Sequence, residues 1–308
     1  MYSKFENETL TAKGEQRASV NLTDLKTLWF NSGTLCNLEC KNCYIESTPR
    51  NDRLVYLSLT DVEPYLDEIE ELKFGTELIG ITGGEPFINP EIIEITKSIL
   101  SRGFDLLILT NAYRVLNRHK SALLEIKAKY GNQLHLRVSL DHYTEKLHDD
   151  ERGSGAFEGA MKGIKWLFDN GFNLSIAGRS FGLESKETSA INYQKALEDY
   201  DIFMNLAIGK NVVIFPEMIA DEDVPEITVN CWGILNKKPE DQMCATERMI
   251  VKRKGAGKAS VLSCTLIAYD EAFELGSTLK ESQKEVFLNH PFCAKFCVLG
   301  ESSCSAVR

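Results

Sequence analysis

The sequence predicts an α/β fold built on a parallel β-sheet, followed by a small cysteine-rich region. β-like segments alternate with amphipathic helices from residue 26 to about 220, which amounts to roughly six strand–helix units. One such segment, 104–109, is apolar except for Asp105, as expected when helices cover both faces of a sheet. After about residue 225 the helix rhythm stops, and cysteines and turns become frequent.

The individual elements follow from periodicity and from end signals. The predicted strands, in order, are 26–32, 77–82, 104–109, 133–140, 172–178 and 212–215. The predicted helices are 61–72, 90–103, 113–130 and 157–170. Thr60 and Glu63 predict a capping box for the first helix, and Asn89 with Pro90 marks the start of the second. Right-handed crossovers would join parallel strands in a doubly wound sheet or a partial barrel, and both folds gather functional groups at the carboxyl ends of the strands.

The region after residue 225 has a different character. Residues 249–251 and 260–262 flank a glycine-rich turn and predict a β-hairpin. A helix is predicted at 279–288, ahead of a cysteine-rich tail. We therefore expect three parts: an N-terminal extension at 1–25, an α/β domain at 26–225 and a small hairpin-plus-helix domain at 226–308.

The composition disfavours several classes of partner. A net charge of −10 at pH 7 argues against binding to nucleic acid or to an acidic membrane surface, since both require a basic footprint. No stretch of 18 apolar residues occurs and residues 1–20 are polar, so neither a transmembrane helix nor a signal peptide is expected. We therefore expect a cytoplasmic protein with no nucleic-acid or membrane partner.

The nine cysteines are unevenly placed and require an explanation. In a reducing compartment they are better interpreted as metal ligands or catalytic thiols than as disulfides. Cys36, Cys40 and Cys43 follow the first predicted strand. Three thiolates can bind only three irons of a [4Fe–4S] cluster, so the fourth iron would stay open to another ligand. From these residues alone, a zinc site completed by a distant fourth ligand is an equal alternative.

A second motif separates these alternatives. Thr82-Gly83-Gly84-Glu85-Pro86 follows the second strand, and two glycines allow close backbone approach to a ligand. Together, Cys-x3-Cys-x2-Cys and Gly-Gly-Glu-Pro resemble the radical S-adenosylmethionine (SAM) superfamily. The resemblance implies a partial (β/α)6 TIM-type barrel, a SAM-binding [4Fe–4S] cluster, and reductive cleavage of SAM to a 5′-deoxyadenosyl radical that abstracts hydrogen from a substrate. A flavodoxin- or ferredoxin-type protein would supply the electron.

The resemblance also assigns roles to particular residues. Gly83, Gly84 and Glu85 would meet the methionine amino group of SAM. Ser139 and Asp141, which a period of two places on one strand face, would contact its ribose and carboxylate. The further cofactor-binding candidates are Thr82, Asn111, Arg152 and Tyr44. Family members often carry an aromatic residue just before the third cysteine, whereas this chain has Asn42 there and Tyr44 just after it.

The remaining cysteines suggest a second metal site. The predicted hairpin would bring two of them together, and the others follow in the tail; the five candidate ligands are Cys244, Cys264, Cys293, Cys297 and Cys304. Cysteines on such a hairpin-plus-helix unit resemble the twitch and SPASM domains of radical SAM enzymes, which implies one auxiliary [4Fe–4S] cluster. Zinc is the alternative here, and Cys231 is interpreted as a buried core thiol.

Three functions remain open at this point. We favour an enzyme acting on a small molecule, with the auxiliary cluster accepting an electron or binding the substrate. The alternatives are a maturase that modifies a ribosomally made peptide and a noncatalytic iron–sulfur or zinc protein. Glu217, after the sixth strand, is a candidate acid or base, or else a salt-bridged rim residue.

Overall fold

A computed structural model of the chain describes residues 3–182, 184–216, 223–300 and 305. It contains eleven strands in the described residues: β1 Ser19–Val20, β2 Thr27–Asn31, β3 Leu78–Thr82, β4 Asp105–Thr110, β5 Leu134–Ser139, β6 Asn173–Arg179, β7 Val212–Phe215, β8 Glu247–Val251, β9 Ser260–Leu262, β10 Glu274–Gly276 and β11 Val286–Phe287. Nine of them form one sheet in the order β10-β9-β8-β2-β3-β4-β5-β6-β7. The prediction of an α/β fold with a parallel sheet is confirmed.

The helices connect the parallel strands of this sheet. They are α1 Leu59–Leu72, α2 Ile92–Ser101, α3 Lys120–Tyr130, α4 Glu145–Arg152, α5 Ala156–Asp169, α6 Lys186–Glu198 and the short α7 Cys231–Leu235. Strands β2 to β7 pair in parallel with their neighbours, and every residue of β2 and β3 is buried. Burial on both faces explains why these strands are almost wholly apolar.

The predicted capping box of the first helix is wrong by two residues. Ser58 is the N-cap: its hydroxyl accepts from the Asp61 N–H at 3.3 Å, and the Asp61 carboxylate accepts from the Ser58 N–H at 2.9 Å. Thr60 therefore lies inside the first turn rather than ahead of it. The Asp61 side chain takes the place that glutamate has in the usual Ser/Thr-x-x-Glu capping box.

The apolar faces of the helices pack on the sheet as the periodicity predicts. Met161, Ile164 and Leu167 of α5 are fully buried in the same core as Leu136 and Ile176 of the neighbouring strands. Burying each such aliphatic side chain contributes roughly 1.5–3 kcal/mol. The helices thereby hold the carboxyl ends of the strands in fixed positions.

The cysteine-rich region continues the same sheet. The predicted hairpin forms between β8 and β9, with Met249 opposite Leu262. Strand β8 also pairs in parallel with β2, where Phe30 lies opposite Ile250. The sheet thus crosses the expected boundary near residue 225 without interruption.

The predicted helix at 279–288 is wrong. The Glu68 carboxylate accepts hydrogen bonds from the N–H groups of Leu279 and Lys280, and the Arg248 guanidinium binds the Ser282 carbonyl. These contacts hold the segment in turns, and Val286 then pairs with Val20 in a two-stranded sheet. A helical segment comes later, as a π-helix at Cys293–Val298.

None of the helices in the described ranges has the length and apolar character needed to cross a bilayer.

Candidate functional site

The loop that follows β2 packs tightly against the end of β3. The Gly84 N–H donates to the Gly33 carbonyl at 2.8 Å, and the Glu85 N–H donates to the Leu35 carbonyl at 3.2 Å. A Cβ on Gly83 would lie 2.5 Å from the Gly33 oxygen, and one on Gly84 would collide with the Leu35 carbonyl. The glycine pair is therefore needed for the approach of two backbone segments, one of which leads directly into the cysteine motif.

All three cysteines of this loop line one cavity of about 200 Å³. Backbone N–H groups point at two of the sulfurs: Leu38 donates to Cys36 Sγ at 3.4 Å and Ser47 donates to Cys43 Sγ at 3.3 Å. Burial raises the pKa of Cys36 to about 12 and that of Cys40 to about 11. Binding of a positively charged group is then needed to deprotonate these thiols.

The donor set fits a three-thiolate cluster. Backbone N–H bonds to sulfur are among the features that tune iron–sulfur sites. In the described parts of the chain, no three Cys, His, Asp or Glu side chains meet around one point as a single metal ion requires. The thiolates of a [4Fe–4S] cluster each bind a different iron and need no such common point.

The sheet supplies the opposite wall of the cavity. Residues at the carboxyl ends of β3 to β7 line it, including the sequence-predicted Thr82, Gly83, Gly84, Asn111, Ser139 and Asp141. Arg152, from the last turn of α4, and Tyr44, beside the third cysteine, complete that set. Asn42 lines the cavity too, with its amide bonded to the Glu151 carboxylate at 3.0 Å. The structure thus brings these candidates together around the cysteines.

Asp141 is the best-anchored acid in the cavity. Its two oxygens accept from Nε and Nη2 of Arg152, each at 2.8 Å, and Arg179 approaches to 4.0 Å. Burial favours the neutral acid, but the two guanidinium charges hold the pKa of Asp141 below its ordinary value. The Tyr193 hydroxyl lies 2.7 Å from the Asp141 carbonyl and fixes the backbone here. The carboxylate is therefore charged and oriented.

Glu85 has a different position from its two glycine neighbours. Its side chain is buried and does not line the cavity. The carboxylate accepts from the Thr110 hydroxyl and the Asn111 N–H, both at 2.8 Å, and so ties the end of β3 to the end of β4. Burial raises the pKa of this carboxyl to about 7. Asn111 in turn reaches the cysteine loop, donating to Asn37 at 2.9 Å.

Sequence reasoning overlooked two arginines. Arg137 and Arg179 line the cavity from β5 and β6, and Arg137 is 1% exposed. Arg179 also pairs with Glu151 at 2.8 Å. The period of two that selected Ser139 and Asp141 also places Arg137 on the same strand face, so the signal was present.

A second cavity lies in the cysteine-rich region. Four of the five predicted ligands line it together: Cys244, Cys264, Cys293 and Cys297. The Leu266 N–H donates to Cys264 Sγ at 3.3 Å. Burial raises the pKa of Cys244 to about 12, with a further contribution from Cys264. Cys231 lies outside this cavity, on α7, while Cys304 and the acid/base candidate Glu217 fall outside the described residues.

The two cavities are neighbours. Leu266 lines both of them. Phe296, which stands between Cys293 and Cys297 in the π-helix, lines the first cavity and stacks on Phe215 with ring centroids 5.7 Å apart. The π-helix Cys293–Val298 therefore borders both the four-cysteine cavity and the three-cysteine cavity.

Several known proteins are similar to this chain in sequence or in fold. The radical SAM superfamily model matches residues 30–184. The chain is 33% identical over 143 residues to the antilisterial bacteriocin subtilosin biosynthesis protein AlbA of Bacillus subtilis, which covers 46% of this chain and 30% of AlbA. It is 28% identical over 183 residues to an AdoMet-dependent heme synthase of Methanosarcina barkeri, with coverage of 57% and 49%. The chain thus spans about half or less of the length of these curated relatives.

Solved structures agree on the fold. Streptococcus suis SuiB bound to S-adenosylmethionine superposes with a TM-score of 0.58 at 15% identity, over 82% of this chain and 63% of SuiB. A structure of SuiB bound to the precursor peptide SuiA gives a TM-score of 0.56 at 16% identity, over 80% and 61%. This likeness identifies the sheet as the partial barrel that the sequence implied. The chain belongs to the radical SAM superfamily.

Proposed function

We propose that this chain is a radical SAM enzyme that holds two iron–sulfur clusters in adjacent cavities. The observation that carries the proposal is the adjacency of the two groups of cysteines, with Leu266 common to both cavities. When bound, a reduced [4Fe–4S] cluster with SAM supplies a 5′-deoxyadenosyl radical able to abstract a hydrogen atom from a substrate. The protein contributes binding, orientation and exclusion of competing reactions.

At the first site, Cys36, Cys40 and Cys43 hold the cluster and leave one iron for SAM. The backbone of Gly83 and Gly84 borders the space for the methionine part of SAM. Ser139 and the charged Asp141 offer hydrogen-bond acceptors for its hydroxyl and ammonium groups. Arg152 keeps Asp141 in position through two hydrogen bonds.

At the second site, Cys244, Cys264, Cys293 and Cys297 provide the full complement of ligands for an auxiliary [4Fe–4S] cluster. A cluster with four thiolate ligands has no open iron for a substrate atom. We therefore favour its role as an electron acceptor over a role in substrate binding. A substrate that gives up one hydrogen atom, then one electron and one proton, is oxidised by two electrons in total.

For the substrate we propose a peptide. AlbA is a bacteriocin biosynthesis protein by name, and SuiB is known in complex with a precursor peptide. The small-molecule substrate expected from the sequence is the second candidate, favoured by the similarity to a heme synthase. A flavodoxin- or ferredoxin-type protein would deliver the reducing electron.

The chemistry is tested by anaerobic reconstitution followed by addition of SAM and dithionite. We expect 5′-deoxyadenosine from the wild-type chain and none from the Cys36→Ala/Cys40→Ala/Cys43→Ala triple variant. The triple variant should retain iron and sulfide at the second site, and the Cys244→Ala/Cys264→Ala double variant should retain them at the first. The Cys231→Ala variant is the matched control and should keep both. Absence of 5′-deoxyadenosine from the reconstituted wild type would favour a noncatalytic metal protein.

The substrate class is tested by turnover of pooled candidates. Synthetic peptide pools and a small-metabolite pool are each incubated with the reduced enzyme and SAM. A peptide substrate should increase 5′-deoxyadenosine formation and lose the mass of two hydrogen atoms, as read by mass spectrometry. Stimulation by the metabolite pool alone would replace the peptide with a small molecule.

A further inference from the structure

We infer that Arg248 and Glu247, neighbours on β8, shift the reduction potential of the auxiliary cluster in opposite directions. The inference rests on the proposed binding of that cluster by four cysteines. Both side chains line the same cavity as Cys244, Cys264 and Cys293. Arg248 is 0% exposed and Glu247 is 4% exposed, so water screens neither charge effectively.

Arg248 is a buried cation bound to neutral groups. Its Nε and Nη2 each donate to the Ser282 carbonyl at 3.1 Å, and its Nη1 donates to the carbonyls of Cys244 at 2.6 Å and Glu247 at 2.8 Å. Within the described residues, no carboxylate forms an ion pair with this guanidinium. A buried charge without a counter-charge is unfavourable, and four thiolates in the same cavity would provide one.

The same hydrogen bonds fix the position of the charge. Carbonyl groups from three different residues orient the guanidinium plane, and one of them belongs to the proposed ligand Cys244. A planar guanidinium held in this way cannot turn away when the charge of the cavity changes. Arg248 therefore holds a positive charge in a fixed position, and this charge acts on the cluster through space.

Glu247 supplies the opposite charge in the same cavity. Its Oε2 accepts from the Trp29 indole N–H at 2.7 Å. Because both charged side chains line the cavity of the cysteines, each contributes to the electric field at the ligands, with opposite sign.

Reduction of the cluster adds one negative charge to a group that is already negative with its four thiolates. A fixed cation favours the reduced state and an anion disfavours it. At an effective dielectric constant near 20, removing a unit charge about 6–12 Å away changes the reduction equilibrium roughly a hundredfold to tenfold. Each tenfold change in a one-electron couple corresponds to about 59 mV.

The experiment uses the full-length Cys36→Ala/Cys40→Ala/Cys43→Ala chain, reconstituted so that only the auxiliary cluster remains. Its potential is measured by dithionite titration followed by electron paramagnetic resonance. Arg248→Gln should lower the equilibrium constant for reduction at least tenfold. Arg248→Lys, which keeps the charge, should stay close to the parent. Glu247→Gln, whose amide oxygen can still accept from Trp29, should raise the constant.

The outcomes separate the inference from the proposal beneath it. If the triple variant binds no iron, the auxiliary cluster is overturned, and this inference with it. If iron is bound but Arg248→Gln and Arg248→Lys move the potential alike, the role of Arg248 is structural and the inference alone is wrong. If Arg248→Gln does not fold, Glu247→Gln decides, because an unchanged or lowered potential in that variant contradicts the inference.

Discussion

The pair formed by Asp141 and Arg152 places two opposite charges in the three-cysteine cavity. Side-chain exposure is 6% for Asp141 and 15% for Arg152, and two hydrogen bonds join them. Because the pair is buried, replacing either residue with a neutral one leaves the charge of the other residue buried without a partner. Such a pair orients a carboxylate for ligand binding and at the same time makes the local fold dependent on it.

We therefore expect Asp141→Asn to destabilise the chain by about 3–5 kcal/mol, since Arg152 would stay buried without its partner. Urea unfolding of the cluster-free chain measures this change, and calorimetry on the reconstituted protein should show weakened SAM binding. Asp169→Asn is the control: Asp169 pairs with Lys165 on the exposed face of α5, and its loss should cost about 0.5 kcal/mol or less. Equal effects of the two substitutions would contradict the role of burial.

His148 provides a pH-dependent contribution to stability. Burial, with a further effect of the nearby Arg152 charge, lowers the pKa of this imidazole to about 4. A base with a lowered pKa in the folded state stabilises the fold above its unfolded pKa of about 6.5, and that contribution is lost as the pH falls towards 4. Between pH 7 and pH 5 the loss amounts to about 2 kcal/mol.

The His148→Gln variant lacks this titration. Its free energy of unfolding should fall less between pH 7 and pH 5 than that of the wild type, by about 2 kcal/mol. Urea unfolding of the cluster-free chains at both pH values measures the difference. Parallel pH profiles for the two chains would show that His148 titrates normally.

For single residues, the sequence predicts which side chains face the cavity better than it predicts the hydrogen-bond partners of those side chains. Ser139 and Asp141 follow from the period of two along a strand, and Arg137 would have followed from the same rule. The partner of Arg152 could not be predicted, because it depends on how the helix α4 docks beside β5. The exclusion of the Glu85 side chain from the cavity depends likewise on tertiary contacts, with Thr110 and Asn111.

Among the elements, the turn after β3 determines whether the cysteine loop can take its position. Gly84 leaves no space for a side chain, since its neighbour there is the backbone carbonyl of Leu35. A backbone group cannot move aside as the end of a flexible side chain would. The turn and the cysteine loop are therefore one structural unit, although the two motifs are about 40 residues apart in sequence.

Gly84→Ala should displace the cysteine loop and destabilise the chain by about 1–3 kcal/mol. We expect reduced iron incorporation at the first site and normal incorporation at the second, as determined in the Cys244→Ala/Cys264→Ala and Cys36→Ala/Cys40→Ala/Cys43→Ala backgrounds. Gly233→Ala is the matched control, because a Cβ there meets no atom within 4 Å. Full iron at the first site of Gly84→Ala would show that the loop tolerates the displacement.

Long amphipathic elements were predictable and short ones were not. The α5 stripe fixes a helix through periodicity alone. The helix expected at 279–288 fails because Arg248, remote in sequence, binds the Ser282 carbonyl that a helix would use internally, and Val286 pairs with Val20 in a strand. The π-helix that carries Cys293 and Cys297 has no comparable periodic signal.

For the whole molecule, the strand order joins the cysteine-rich region to the barrel more closely than the sequence suggests. Strand β2 lies between β3 and β8, and all of its residues are buried. Composition changes sharply near residue 225, but pairing between β2 and β8 is not visible in local sequence. The apparent domain boundary therefore falls within a continuous sheet.

We predict that residues 1–225 alone do not fold as a stable monomer. Removing β8 exposes one edge of β2 and its apolar residues, such as Leu28 and Phe30, to water. The loss of several buried side chains at roughly 1.5–3 kcal/mol each is comparable to the total stability of a domain. Size-exclusion chromatography should detect aggregation, whereas a monomer with a cooperative unfolding transition would contradict the prediction.

The position of β8 beside β2 also bears on how the protein is made. Thr27 of β2 pairs with Glu247, about 220 residues later in the chain. At a translation rate of roughly 5–20 residues per second, the ribosome takes about 10–45 seconds to deliver the partner of the first barrel strand. During that time the nascent chain carries the thiols of Cys36, Cys40 and Cys43 beside an unpaired strand edge. Insertion of the first cluster is therefore expected to follow synthesis of β8.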